Sequence, residues 1–364
     1  LGETVYSKFG YSLVRLHAER LQMNEDLGLL LATSGSTGDP KLVRLSYDNF
    51  RSNAESIGDY LEITQEERPI TSLPMYYSYG LSVINSHLMK GATLLLTDKS
   101  IMQKGFWDFL KEKKATSISG VPYTYEMLKR LRVFRMDLPH LKTMTQAGGK
   151  LNPTLVKEFV EYAKHTGKKF IVIYGQTEAT ARMSYLPFEF AEEKYSSIGK
   201  AIPGGEFKLV DSEKSEILEC NVDGELVYRG ANVSLGYAEC LEDLAKGDEN
   251  KGVLHTGDVA RRDEEGFYYI TGRMKRFVKI YGNRVNLDAT EQIVKSVAPN
   301  SACGGVDDKL IIFTTDADKI EQIKALLIKK TDLNAQAFSF KVLDEIPKNH
   351  SGKVRYAELN KVMY

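Results

Sequence analysis

Cysteine is scarce in this chain. Cys220, Cys240 and Cys303 are scattered through 364 residues, and their spacing suits neither a disulfide frame nor a zinc site. A reducing cytoplasm fits that usage. The six histidines fall into no metal-ligand pattern. Net charge is also lacking: 49 basic and 49 acidic side chains cancel, so nothing global recruits nucleic acid or an anionic membrane. No apolar run is long enough to span a bilayer. Leu1-Gly2-Glu3 opens the chain without a starting Met or a signal-peptide apolar region. Internal repeats and low-complexity tracts are missing as well. What is present, 42% apolar and 27% charged residues, suits a globular protein too long for one simple core.

Apolar runs and helical spacings alternate through the first half. Leu27 to Ala32 reads as a buried strand, followed by a glycine-rich loop and a short strand at Leu42-Val43-Arg44-Leu45. Ser46 is placed to cap a helix whose apolar face is Phe50, Ala54, Ile57 and Leu61. Further strands are expected at 70–73, 92–97, 115–119, 141–146 and 170–173. Helices are expected at 81–90, 104–113, after Pro122, and at 153–166. Such alternation is the sequence form of a parallel sheet covered on both faces. Ligands in these sheets bind beyond the carboxyl ends of the strands. Four polar stretches are expected there: 33–38, 74–80, 147–150 and 174–178.

From about 198 short strands and glycines dominate, which predicts a small β-rich lobe. After Gly272-Arg273 the pattern becomes strand 276–280, helix 287–297, strand 309–314, helix 317–330 and strand 336–343. The expected fold class is therefore α/β: a core over 1–273, made of a sheet subdomain (1–197) and the β-rich lobe (198–273), then a small mobile α+β domain over 274–364.

The chemistry-bearing stretches are ambiguous one at a time. Thr33-Ser34-Gly35-Ser36-Thr37-Gly38-Asp39-Pro40-Lys41 has two glycines, four hydroxyls and one lysine, the ingredients of a phosphate cradle. It lacks Walker A spacing, and the same composition equally makes a surface turn. Tyr174-Gly175-Gln176-Thr177-Glu178 puts a carboxylate beyond a strand, where it can hold Mg²⁺ beside a phosphate. Alone, an acidic first turn of a helix is the commoner reading. Asp258 in His255-Thr256-Gly257-Asp258 can accept from ribose hydroxyls, with Arg273 on the same sugar, or can simply close an Asx turn. Lysines in polar loops such as Pro347 to Arg355 are most often solvated.

Taken together, these motifs with Gly224-Glu225-Leu226, Gly272-Arg273 and Ser351-Gly352-Lys353 resemble the adenylate-forming superfamily: acyl-CoA synthetases, peptide-synthetase adenylation domains and firefly-type luciferases. Six motifs stand in the family's order between residues 33 and 355. The resemblance implies that Thr33, Ser34, Gly35, Ser36, Thr37, Gly38 and Lys41 hold the β- and γ-phosphates of ATP. Gly148, Gly149 and Lys150 would wall the adenine with Tyr174, beside Gly175 and Gln176. Thr177 would contact the α-phosphate, Glu178 would bind Mg²⁺, and Asp258 and Arg273 would bind ribose. Lys275 falls at the interdomain hinge. Lys279 to Arg284, including Gly282, resembles the loop presented for thiolation, and Lys353 the mobile catalytic lysine.

Departures from the family pattern carry information. Only 32 residues precede the glycine loop, where the family has a subdomain, so part of an N-terminal subdomain is expected to be lacking. Leu42 replaces a usual glycine. Tyr77 stands where many acyl-CoA synthetases have histidine, and the aspartate of amino-acid-activating domains is absent. An acid pocket closed by phenolic rings follows, with Tyr77 at its mouth and Ser78, Asn85, Val121 and Tyr123 as lining; Tyr76 is equally suited to core packing.

The implied activity is an AMP-forming ligase that activates a small carboxylic acid with ATP and Mg²⁺. Its acceptor is a phosphopantetheine thiol, of CoA or an acyl carrier protein. A nucleotide-binding protein of the same fold without full turnover is the alternative, against which Lys353 and Glu178 argue. A luciferase-type oxidase is a third reading.

Overall fold

A computed structural model describes residues 3–8, 11–15, 22–32, 41–274, 276–281, 283–306, 308–331, 333–348, 352 and 354–362. The glycine loop 33–40, Lys275, Gly282 and Lys353 lie outside them.

The central sheet has six strands in the order Lys200–Ala201, Ser184–Tyr185, Lys169–Tyr174, Thr143–Gln146, Ser117–Gly120, Pro69–Ile70. The last four run parallel to one another, and the first two join antiparallel. Between the parallel strands the chain returns through the helices Ser78–Met89, Lys104–Glu112, Pro122–Arg130 and Pro153–His165. This is the α/β architecture that the alternating pattern predicts.

Local chemistry explains the helix starts. Ser46 Oγ accepts from the Asn49 amide at 3.1 Å while Asn49 Oδ1 accepts from the Ser46 amide at 2.9 Å, which caps the helix Tyr47–Tyr60. Pro122 and Pro153 each occupy the first turn, where the missing N–H costs nothing. Under the sheet, Tyr125 packs edge-on to Phe159 and Phe170, with ring centroids 4.9 and 5.1 Å apart. All three rings are buried, and this aromatic core holds the strand ends that carry the polar loops.

Three expectations are corrected. The strand expected at 92–97 is absent: Leu95 forms only one bridge to Ile70, and Leu96 points into solvent at 66% exposure. Leu95 bonds the backbone of Pro69 and Thr71 on either side of that bridge, but the Thr97 amide turns to the Thr71 hydroxyl, so the pairing goes no further. The strand at 70–73 ends at Ile70, where Ser72 turns back, its amide to Ile70 O and its hydroxyl to the Ser119 carbonyl. Most important, Leu27–Ala32 is not part of the parallel sheet. It pairs antiparallel with Leu42–Ser46, Ala32 opposite Leu42, in a three-stranded sheet completed by Gly236–Ala238. Too few residues separate the two strands for a crossover helix, so the chain can only double back.

The β-rich region forms an antiparallel sheet in the order Gly205–Val210, Gly224–Gly230, Val253–Arg262, Tyr268–Arg273. Beyond Arg273, a hairpin (Phe277–Ile280, Asn283–Asn286) and a three-stranded sheet (Ser301–Val306, Lys309–Thr314, Phe338–Val342) pack with the helices Leu287–Lys295 and Ile320–Thr331 around Ile280, Val294, Leu310 and Leu327. The strand 301–306 and the final helix Tyr356–Lys361 were not anticipated from the sequence. Among the described residues no helix is long and apolar enough to cross a membrane.

Candidate active site

Asp258 lies at the centre of a hydrogen-bonded group drawn from three segments. It sits within the strand Val253–Arg262 rather than after a turn, beside a bulge at Gly257. Antiparallel register puts it directly opposite Arg273, whose Nε donates to Asp258 Oδ1 at 3.0 Å. Tyr174 Oη donates to Oδ2 at 2.6 Å, and Gln176 Nε2 donates to the same oxygen at 3.0 Å. Gln176 Nε2 also reaches the Thr256 carbonyl at 3.1 Å. The Asp258 carboxylate is therefore almost wholly buried, at 3% exposure, but fully engaged. The Arg273 side chain keeps 61% of its surface open, so its unused donors face outward. Burial, and then the neighbouring Asp258 charge, push the Tyr174 phenol well above its usual range.

Directly after Gln176, Thr177 to Ala179 form a single 3₁₀ turn rather than a helix start. Gly175 precedes it with the Ala181 carbonyl where a side chain would begin. Thr177 Oγ1 shares a hydrogen bond with Ser78 Oγ at 3.1 Å. Glu178 Oε1 accepts from Tyr237 Oη at 2.8 Å, leaving Oε2 without a hydrogen bond among the described residues. One carboxylate with an open oxygen beside hydroxyls fits Mg²⁺, which takes one or two carboxylates and otherwise phosphate and water oxygens. Among the described residues no group of three His, Cys, Asp or Glu side chains forms a closed metal site.

Lys41, the end of the glycine loop, pairs with Glu239 at 2.5 Å and lies 5.8 Å over the Tyr237 ring. Tyr237 and Glu239 carry no local sequence signal. They arrive because Gly236–Ala238 pairs with Leu42–Ser46. Arg44 secures that pairing. Its buried guanidinium donates to the carbonyls of Leu235, Tyr237, Lys246 and Gly247, and it ion-pairs with Glu249 at 2.5 Å. A second residue missed by sequence reasoning is Gln146. Buried at the end of its strand, it donates to the Ala147 and Gly149 carbonyls at 3.2 and 2.9 Å and shapes the Gly148-Gly149-Lys150 turn.

The expected acid pocket divides. Tyr77 and Val121 meet at Gly148, whose φ of +84° suits glycine and where a Cβ would strike Tyr77 Oη at 2.5 Å. Burial pushes the Tyr77 phenol up to about 12. Ser78 and Asn85 instead line a narrow cleft between two helices, with a cavity of only about 10 Å³, together with Phe50, Asn53, Ile57 and Leu81. Tyr123 is 52% exposed and Tyr76 73% exposed, so Tyr76 is not core packing. Tyr79 takes that role, donating to or accepting from Thr145 Oγ1 at 2.7 Å. Lys279 is exposed, in the strand Phe277–Ile280.

The pattern of the AMP-binding enzyme family matches residues 6–238, nearly two thirds of the chain. The chain belongs to the AMP-binding enzyme family. An oxalate–CoA ligase of Arabidopsis thaliana is 29% identical over 94% of this chain and 69% of its own length. A mouse mitochondrial medium-chain acyl-CoA ligase is 31% identical over 68% of this chain and 41% of its own length. Among solved structures, the o-succinylbenzoate CoA synthetase of Bacillus subtilis in complex with its acyl-adenylate superposes with a TM-score of 0.78. It is 24% identical over 93% of this chain and 70% of that one. The same synthetase with ATP and magnesium gives 0.77. These likenesses place this AMP-binding enzyme in the fold that the ordered motifs imply.

Proposed function

We propose that this AMP-binding enzyme joins a carboxylic acid to AMP, releasing pyrophosphate, and then transfers the acyl group to a phosphopantetheine thiol of CoA or a carrier protein. The observation that carries the reading is the convergence of Arg273, Tyr174 and Gln176 on the Asp258 carboxylate, with Gln176 directly preceding the Thr177-Glu178 turn. The names of the relatives, CoA ligases in both cases, support the reaction class.

In this reading Asp258 and the outward donors of Arg273 hold the ribose. Gly148, Gly149 and Tyr174 flank the adenine. Thr177 donates to the α-phosphate. Lys41 exchanges Glu239 for the β- and γ-phosphates, joined by the backbone of residues 33–38. Glu178 would hold Mg²⁺, which would neutralise phosphate charge. The acid lies by Tyr77, its neutral part toward Ser78 and Asn85. Its carboxylate oxygen forms a bond to the α-phosphorus as the bond to pyrophosphate breaks. Both reactants are anions, so positioned cations and donors lower the barrier chiefly by stabilising the charge of the transition state. Lys353 supplies one such charge. A thiolate sulfur then bonds to the acyl carbon, and AMP departs with the carboxyl oxygen. We assign that second step to a rotated position of residues 274–364 about Lys275, with 279–284 turned toward the site.

Pyrophosphate–ATP exchange over a panel of short, aryl and branched carboxylic acids tests the reading. Exchange with at least one acid is expected. Tight ATP binding without exchange on any acid would leave a nucleotide-binding protein instead.

A further inference from the structure

Thr271 breaks the register of the strand that carries Arg273. Where Val253–Arg262 pairs with Tyr268–Arg273, Val259 stands opposite Gly272 and Ala260 opposite Ile270, so Thr271 is bulged out without a partner in the ladder. Its hydroxyl turns back to the Val259 carbonyl at 3.3 Å. Its carbonyl accepts from Asn286 Nδ2 at 2.9 Å. Asn286 lies beyond Arg273, at the end of the strand Asn283–Asn286. A backbone group left over by the sheet of the core is thus satisfied from the C-terminal region.

Asn286 works in both directions. While Nδ2 reaches Thr271, Oδ1 accepts from the amides of Asp288 and Ala289 at 2.9 and 3.1 Å and caps the helix Leu287–Lys295. Asp288 pairs with Arg276 Nε at 2.5 Å, and the Leu287 amide donates to the Arg276 carbonyl at 2.9 Å. The Arg276 guanidinium also lies 3.6 Å from the centroid of the Tyr356 ring. Arg276 is therefore fixed to the C-terminal region, as Arg273, three residues earlier, is fixed to the core through Asp258. Asn286 spans the short stretch between them. Gly272 makes room for it: the nearest atoms that a Cβ would meet there all belong to the Asn286 side-chain amide. The φ of Gly272 is not left-handed, so the close approach, rather than the backbone conformation, requires glycine.

We propose that Asn286 is a positioning residue that latches the C-terminal region to the bulge at Thr271. The inference rests on the two-step reading above, in which that region rotates for the second step. It adds the contact that has to break first. The bond holds the position that serves adenylation, and it steadies the strand end from which Arg273 meets Asp258.

Asn286→Asp separates the latch from the cap. A carboxylate caps a helix as well as an amide does, but it has no N–H for the Thr271 carbonyl and sets oxygen against oxygen. Trypsin reads the latch on the whole chain without nucleotide. The bonds after Arg273, Lys275 and Arg276 are cut in proportion to the time that stretch spends open. Fragments ending at those residues, followed by mass spectrometry, are expected to appear about tenfold faster, the factor for one lost hydrogen bond. Cutting after Lys295, at the far end of the capped helix, is expected to keep the parent rate. Pyrophosphate–ATP exchange is expected to fall by a similar factor, and thioester formation with CoA from a supplied acyl-adenylate is not slowed. If Asn286→Asp does not accumulate as folded protein, Gly272→Ala, which displaces the amide from the core side and leaves the cap residue in place, is read by the same criteria. Unchanged cutting after 273–276 overturns the latch, as does an equal rise after Lys295, which would mark a merely structural loss. Faster cutting with both half-reactions lowered alike, or with neither altered, overturns the role in the first step. Absence of exchange in the parent on every acid defeats the functional reading, and trypsin then still decides the latch.

Discussion

Ser78 and Thr177 share a hydrogen bond of 3.1 Å across 99 residues of sequence. Ser78 opens the helix beside the candidate acid pocket, and Thr177 opens the turn that leads to Glu178. The bond therefore joins the proposed acid side of the site to its proposed phosphate side.

A double-mutant cycle measures this link. Ser78→Ala and Thr177→Val should each lower kcat/KM for exchange, and the double mutant should lose less than their sum by about 1 kcal/mol. Strict additivity would show that the two hydroxyls act independently during turnover.

Asp258→Asn should weaken nucleotide binding more than it weakens the fold. The carboxylate accepts from three donors, so its loss leaves Tyr174, Gln176 and Arg273 in competition for one amide oxygen. A stability loss of about 1–3 kcal/mol is expected in urea unfolding, held low because Arg273 stays largely solvated. Titration calorimetry with ATP should show affinity reduced by at least about tenfold, one charge-assisted bond's worth. An unchanged Kd would remove Asp258 from the nucleotide site.

His87 makes stability depend on pH. It is buried, with Nδ1 2.8 Å from the Val83 carbonyl, and burial pulls its pKa down to about 4. The unfolded chain therefore binds the proton first, so this contribution is complete above about pH 6.5 and is lost as pH falls toward 4. The loss should approach about 3 kcal/mol by the bottom of that window. Urea unfolding at several pH values should show the slope, and His87→Gln should flatten it. An equal slope in both proteins would assign the effect to other groups.

Much of this architecture can be read along the chain. The Ser46 cap, the prolines at 122 and 153, and the alternation of strands with helices appear where local chemistry requires them. Errors arise where a residue's neighbours decide its state. Leu95 and Leu96 have strand composition but lie at a sheet edge. Leu27–Ala32 looks like the first strand of a parallel sheet, yet its partner lies only ten residues on and must run back. Tyr237 and Glu239, which hold Glu178 and Lys41, have no motif at all. Their presence depends on the pairing of Gly236–Ala238 with Leu42–Ser46, secured by Arg44.

By itself the sequence determined the family and the order of its motifs, because those depend on residue types at short, fixed spacing. Tertiary structure alone decided the partners: that three donors converge on Asp258, that the acid pocket splits between Tyr77 with Val121 and Ser78 with Asn85, and that Arg276 grips Tyr356. Such contacts are set by register and packing among segments tens to hundreds of residues apart, and neither leaves a periodic mark on any one of them.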